Sequence, residues 1–289
     1  MQPDPSARRH RSANRVLIAA LPLWWLATLT GSAIAHADSQ TPYSGAWDTL
    51  RPQLYGDREI GVVDQAFISL EVPGNTPDPA ATPLTVRFGD SAIGHIKQLR
   101  VIIDNNPSPL VSSFDFAAGA RVAEIGMRVR IDRLTSVRAI AETTDGRLEM
   151  RSGWVNASGG CSAPPAATAA TAGALGDIRF HNTPDGKSLQ VGIRHPNNSG
   201  FQIDPLSGNP IPPHYVSHIR FSADGKTLLD VDAGISLSEN PTLRIASDAP
   251  LPEPVTVEVV DSKDSHFSAS WRGPASAGET ISDAAVTHR

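Results

Sequence analysis

The sequence contains one cysteine in 289 residues, Cys161, and three methionines. A lone thiol excludes an intramolecular disulfide and any zinc site built from several thiolates. Positive charge is not in surplus either. The formal net charge is −5 and the pI about 6.0, which leaves nothing to neutralise a nucleic-acid backbone, so no nucleic-acid partner is expected. No G-x-G-x-x-G, Walker, H-E-x-x-H or G-x-S-x-G signature occurs. Enzymatic readings therefore lack a site, and no cofactor is expected.

What is present begins with an address. Arg8, Arg9, Arg11 and Arg15 precede an apolar run from Val16 to Leu29, and that run is shorter than the roughly twenty residues a spanning helix needs. It closes on Ala35-His36-Ala37, an A-x-A pattern before Asp38. Residues 1–37 read as a cleaved secretory signal, so the mature protein is expected to be exported and to have no membrane span after cleavage. Removing them takes away four basic residues and Asp4, leaving a net charge of about −8. In an oxidising compartment a single unpaired thiol is unusual.

Beyond Asp38 the recurring apolar period is two, with a short helical turn around Trp47–Leu54 as the exception. Met127, Val129 and Ile131 alternate with Arg128, Arg130 and Asp132, an apolar face against a charged one. Leu84, Val86 and Phe88 repeat the pattern, as do Leu99, Val101 and Ile103, and Val255, Val257 and Val259. Asp145-Gly146, Asp185-Gly186 and Asp224-Gly225 read as type I′ hairpin turns. Short strands with Pro and Gly punctuation argue for an all-β protein of antiparallel sandwiches. Residues 162–176 are almost entirely Ala, Pro, Thr and Gly. Such a stretch buries too little to offset its ordering entropy, and is expected to be a flexible linker. It divides the mature chain into domains at 38–161 and 177–275, with a flexible tail at 276–289.

Cys161 stands between these domains, directly after Gly159 and Gly160. The glycines suggest an exposed, mobile arm reaching at most ~20 Å from the preceding strand. No base or helix N-terminus lies nearby in sequence, so the thiol is expected near its ordinary pKa, presented rather than activated. An attachment point, an incidental or intermolecularly paired thiol, and a nucleophile activated from a distance all remain open.

His214 and His218 are four apart, with His195, Asp204, Asp230 and Asp232 in the neighbouring sequence. Pro210, Pro212 and Pro213 oppose a helix there, and in a strand the rings would stand about 13 Å apart, so ordinary histidines are favoured over a metal site. Asp204 and Asp232 are scattered carboxylates without an acid–base pairing that sequence reveals. Tyr215 and the Pro-rich segment 209–213 read equally as a domain contact or an ordered loop.

Several of these segments together resemble the SoxYZ sulfur carrier of thiosulfate oxidation, and more closely the fused SoxYZ-like carriers associated with quinoprotein dehydrogenases. The SoxY-like half shows Asn106-Pro107-Ser108-Pro109-Leu110, Met127-Arg128-Val129-Arg130, the Asp145-Gly146 turn and Gly159-Gly160-Cys161. The SoxZ-like half shows His195-Pro196, Ser199-Gly200, the run from Gly208 to Tyr215, Asp224-Gly225-Lys226 and Ser238-Glu239-Asn240-Pro241. The resemblance implies two immunoglobulin-like sandwiches in a non-catalytic periplasmic carrier. Cys161 would be the substrate attachment residue, carrying a sulfur species, with Gly159 and Gly160 as the carrier arm. The implied partners are redox enzymes of sulfur oxidation, or a quinoprotein dehydrogenase and its cytochrome c. SoxY carries its cysteine in a Gly-Gly-Cys-Gly-Gly chain end, whereas Cys161 is internal and followed by Ser162-Ala163-Pro164. Competing readings are a structural module of tandem immunoglobulin-like domains that dimerises through Cys161, and a thiol-independent binding module for a dehydrogenase system.

Overall fold

The structure is a computed structural model that describes residues 45–165 and 173–273, together with the backbone of 285–287. The expected leader 1–37 and the middle of the linker, 166–172, lie outside the described residues. The first half comprises α1 (Gly45–Tyr55), β1 (Ile60–Val62), β2 (Ile68–Glu71), β3 (Thr82–Phe88), β4 (Ile96–Ile103), β5 (Leu110–Phe116), β6 (Val122–Val129), β7 (Thr135–Thr143) and β8 (Leu148–Val155). The second comprises β9 (Ile178–Asn182), β10 (Ser188–Ile193), β11 (Val216–Ala223), β12 (Lys226–Ala233), β13 (Thr242–Ser247), β14 (Val255–Asp261), β15 (His266–Trp271) and β16 (Ala285–Thr287). Part of the tail expected to be flexible thus pairs with β15 as a strand.

The all-β expectation holds, with immunoglobulin-like sandwich architecture and one short helix. One sheet runs β1-β8-β7-β4-β5-β12-β11-β14-β15-β16 and the other β2-β3-β6-β13-β10-β9. Pairing between strands is antiparallel except for β1 with β8. Period-two patterning supplies the core: Leu84, Val86 and Phe88 of β3, Ile125 and Met127 of β6, and Val255, Val257 and Val259 of β14 all face inward. Sequence alone did not show how the halves meet. β5 pairs with β12, placing Phe114 opposite Val231, and β6 pairs with β13, placing Met127 opposite Leu243. Each half thereby closes strand edges that the other would leave with unpaired N–H and C=O groups. All described residues fall into one compact unit.

Strand β7 breaks the alternation, with eight of its nine residues buried. The reason is α1, which lies on the outer face of the large sheet and packs Trp47 and Tyr55 against Ile102, Ile140 and Leu148. Under that cover Arg138 pairs with Asp104 at 2.8 Å, and its guanidinium lies 4.4 Å from the Trp47 ring centre. Helix burial and cation–π contact hold the ion pair away from water.

Only one of the three Asp-Gly turns has the expected type I′ geometry. Asp224 and Gly225 both have positive φ, 50° and 72°. At the other two, only Gly146 and Gly186 do. There a threonine two residues before the aspartate takes over. The Thr143 hydroxyl donates to Asp145 and accepts the Arg147 N–H, and Thr183 does the same with Asp185 and Ser188. Side-chain bonding of this kind stabilises a longer turn than the dipeptide alone implies.

Candidate functional site around Cys161

Beyond the end of β6 the chain leaves the sheet, and its backbone finds partners in neighbouring loops. The Arg130 N–H donates to Ser236 O at 2.7 Å, and the Ile131 N–H to Pro79 O at 2.8 Å. Asn106 braces the same segment, donating to Arg130 O and accepting from the Asp132 N–H. Residues 159–161 lie along this braced segment. The Gly159 N–H donates to Asp132 O at 2.7 Å and the Gly160 N–H to Ile131 O at 2.9 Å.

This arrangement corrects the picture of an exposed arm. Cys161 is 1% exposed, and its two glycines serve close packing. Gly159 has φ 77°, the left-handed conformation that turns the chain toward Ser162. At Gly160 a β-carbon would stand 2.1 Å from Pro79 O and 2.5 Å from Ile131 O, so only glycine fits. The expectation of an ordinary thiol pKa is corrected too. Burial, followed by the Asp132 charge, pushes the Cys161 thiol up to about 12, against the opposing pull of Arg130 and Arg133. In this seat the sulfur is protonated and unreactive.

The second half holds the seat closed. The Ser199 hydroxyl donates to Cys161 O, and Gln202 Nε2 donates to Ala163 O at 3.0 Å. Arg130 reaches across the junction, donating from Nη1 to Gly160 O at 3.2 Å and from Nη2 to Asn197 O at 3.3 Å. Asn197 is itself fixed by His195 Nδ1, Leu237 O and the Val216 N–H. The sequence pattern had placed Arg130 on a solvent face, but the strand ends at Val129 and the period-two rule ends with it. Ser199, Gln202 and Asn197 were not foreseen as site residues. Their signal is long-range, because all three act from the far side of the linker.

The histidines divide. His214 Nε2 lies 2.8 Å from Asp261 Oδ2 and His195 Nε2 3.5 Å from the same oxygen, whereas His218 contacts Asp230 and Asp232. Asp204 caps a local turn through Leu206 and Ser207. The donors of His195, His214 and Asp261 are suitable in kind for a divalent cation. Their hydrogen bonding favours another arrangement. His195 Nδ1 accepts the Asn197 N–H at 3.0 Å, so the neutral ring carries its proton on Nε2, the nitrogen facing Asp261. A metal-bound histidine instead donates through its second nitrogen. His214 hydrogen-bonds Asp261 and His195 accepts from Asn197, while His195 Nε2, 3.5 Å from Asp261, has no hydrogen-bond partner among the described residues; the trio anchors the loop that carries Asn197 and Ser199. Burial, then His214, holds His195 down to about 4. Asp261 would be raised by burial, but His214 and the N–H groups of Ser265 and Lys263 bring it to about 2.

Geometry therefore defines an all-β protein of two joined sandwiches whose single cysteine lies protected at their junction. Residues 51–161 match the family model for sulfur oxidation protein SoxY, and residues 180–272 match that for sulphur oxidation protein SoxZ. The chain thus carries a SoxY domain and a SoxZ domain in one polypeptide, and the SoxY match ends on Cys161. Among solved structures, the sulfur carrier protein SoxY from Chlorobium limicola f thiosulfatophilum is similar at 21% identity and TM-score 0.34, over 39% of this chain and 93% of that one. A superoxide reductase (neelaredoxin) from Ignicoccus hospitalis aligns at 12% identity and TM-score 0.29, over 34% of this chain and 94% of that one. No curated protein matches the chain. Among the described residues, no helix is long and apolar enough to cross a membrane.

Proposed function

We propose that this chain is a periplasmic sulfur-oxidation carrier that holds a covalently attached sulfur species on Cys161 and hands it between partner enzymes without catalysing the chemistry itself. The observation that carries the reading is the position of the only cysteine. It is the last residue of the SoxY match and is bonded through its carbonyl to Ser199 of the SoxZ domain. Gly159 and Gly160 form the arm, seated in the described state and released when the sulfur must react. Residues 1–37 direct export. The partners are redox enzymes of sulfur oxidation, or a quinoprotein dehydrogenase with its cytochrome c.

Cells dependent on thiosulfate oxidation and carrying only Cys161→Ser should lose that growth while accumulating folded protein. Burial of the thiol favours one rival, a thiol-independent binding module, because a seated, protonated sulfur offers nothing to a partner. Full activity of Cys161→Ser would select that rival and overturn the carrier reading.

A further inference from the structure

Arg130 is 1% exposed, and among the described residues it makes no ion pair. Its two hydrogen bonds both go to neutral backbone carbonyls, Gly160 O and Asn197 O, and its Nε has no hydrogen-bond partner. Burial lowers its pKa, and the charges that act on it are Cys161 when ionised, then Glu239 and Asp78. Asp132, the acid beside the arm, is bonded by Arg133. A buried cation without an anion is costly, and a guanidinium offers five donors, of which this one uses two. The protonated thiol supplies no negative charge to balance it.

We infer that Arg130 is the counter-ion of an anionic group carried on Cys161, so that the seat is built for a sulfur adduct ending in a negatively charged oxyanion rather than for the bare thiol. The inference rests on the carrier reading. Its geometric basis is a planar fork held against the residue preceding Cys161, able to donate paired hydrogen bonds to sulfonate oxygens as it does to carboxylate or phosphate. Arg130 thereby distinguishes loaded from unloaded protein: an anionic adduct draws the arm into its seat, whereas an uncharged one gains nothing from the guanidinium.

The test loads the full chain chemically. With tetrathionate, the Cys161 thiolate attacks an inner sulfur; a new S–S bond forms, the central S–S bond of tetrathionate breaks, and thiosulfate leaves with the electron pair. The product, Cys–S–S–SO3−, is anionic. With methyl methanethiosulfonate the thiolate displaces methanesulfinate and gives the neutral Cys–S–S–CH3. Removal of each adduct by dithiothreitol is followed by intact mass, in native protein and in urea, and the ratio of the two rates is the protection. The expected result is protection of the anionic adduct at least about tenfold greater than that of the methyl adduct, with Arg130→Gln abolishing the difference and Arg130→Lys restoring part of it. Equal protection of the two adducts in the unsubstituted protein overturns the inference, whether or not the Arg130 variants fold. Because loading is chemical, failure here leaves the carrier reading standing if cell-derived protein bears a cargo. Absence of cargo from cell-derived protein removes the carrier reading but not a measured difference in protection.

Discussion

Alkylation of Cys161 by iodoacetamide should report how firmly the arm is seated. A thiol of ordinary pKa 9.0 is about one-tenth thiolate at pH 8, whereas the seated thiol, pushed up to about 12, is about one ten-thousandth thiolate. Reaction therefore proceeds through the released arm, and the native rate should fall at least about tenfold below that of the same chain in urea. Removing the Ser199 hydroxyl removes one hydrogen bond to the arm, about 1 kcal/mol, so Ser199→Ala should label about fivefold faster. The pH profile sharpens the test. A group whose pKa is raised by folding stabilises the seated state fully below 9.0 and loses that contribution as pH rises toward about 12. The rate should accordingly keep climbing about tenfold per pH unit above 9.0, where a free thiol levels off. A native rate equal to the unfolded rate, or a plateau at pH 9.0, would refute the seated arm.

Other substitutions probe the same architecture. Gly160→Ala places a β-carbon against Pro79 O and Ile131 O; it should cost about 1–3 kcal/mol in urea unfolding and bring alkylation close to the unfolded rate, unlike a substitution at an open glycine. Asp104→Ala leaves Arg138 buried and unpaired beneath Trp47, and should lower stability by about 3–5 kcal/mol, a loss that calorimetry would register as a large fall in Tm. Acid should destabilise the His195–Asp261 anchor in two windows. The unfolded chain takes up the His195 proton between pH 6.5 and about 4, and the Asp261 proton between 3.8 and about 2, contributing losses of about 3 and 2 kcal/mol respectively. Urea titrations of His195→Gln should lack the first loss; an unchanged slope between pH 7 and 4 would contradict the assignment.

Period-two patterning made most of the fold legible, because inward apolar residues on β3, β4, β6 and β14 do not depend on which strand lies beside them. Pairing of β5 with β12 and of β6 with β13 was not legible, since edge-to-edge joining leaves no mark on the alternation of either partner. Cys161, Gly159 and Gly160 were singled out by their place between the halves, and the exposed environment expected for them was a misreading. Glycines permit mobility and also permit close approach, and only the position of Pro79 O shows which applies at Gly160. Arg130 was read outward because strand periodicity was extended one residue beyond the strand. The spacing of His214 and His218 argued against a shared site, but the contact of His214 with Asp261 at the end of a distant strand left no local signal.

The central claim is that Cys161 carries cargo. The most direct measurement is the intact mass of the protein taken from its native compartment without reductant, repeated after reduction and on Cys161→Ser. The account predicts an added mass that reduction removes and that Cys161→Ser lacks; an unmodified thiol in cells actively oxidising thiosulfate would contradict it.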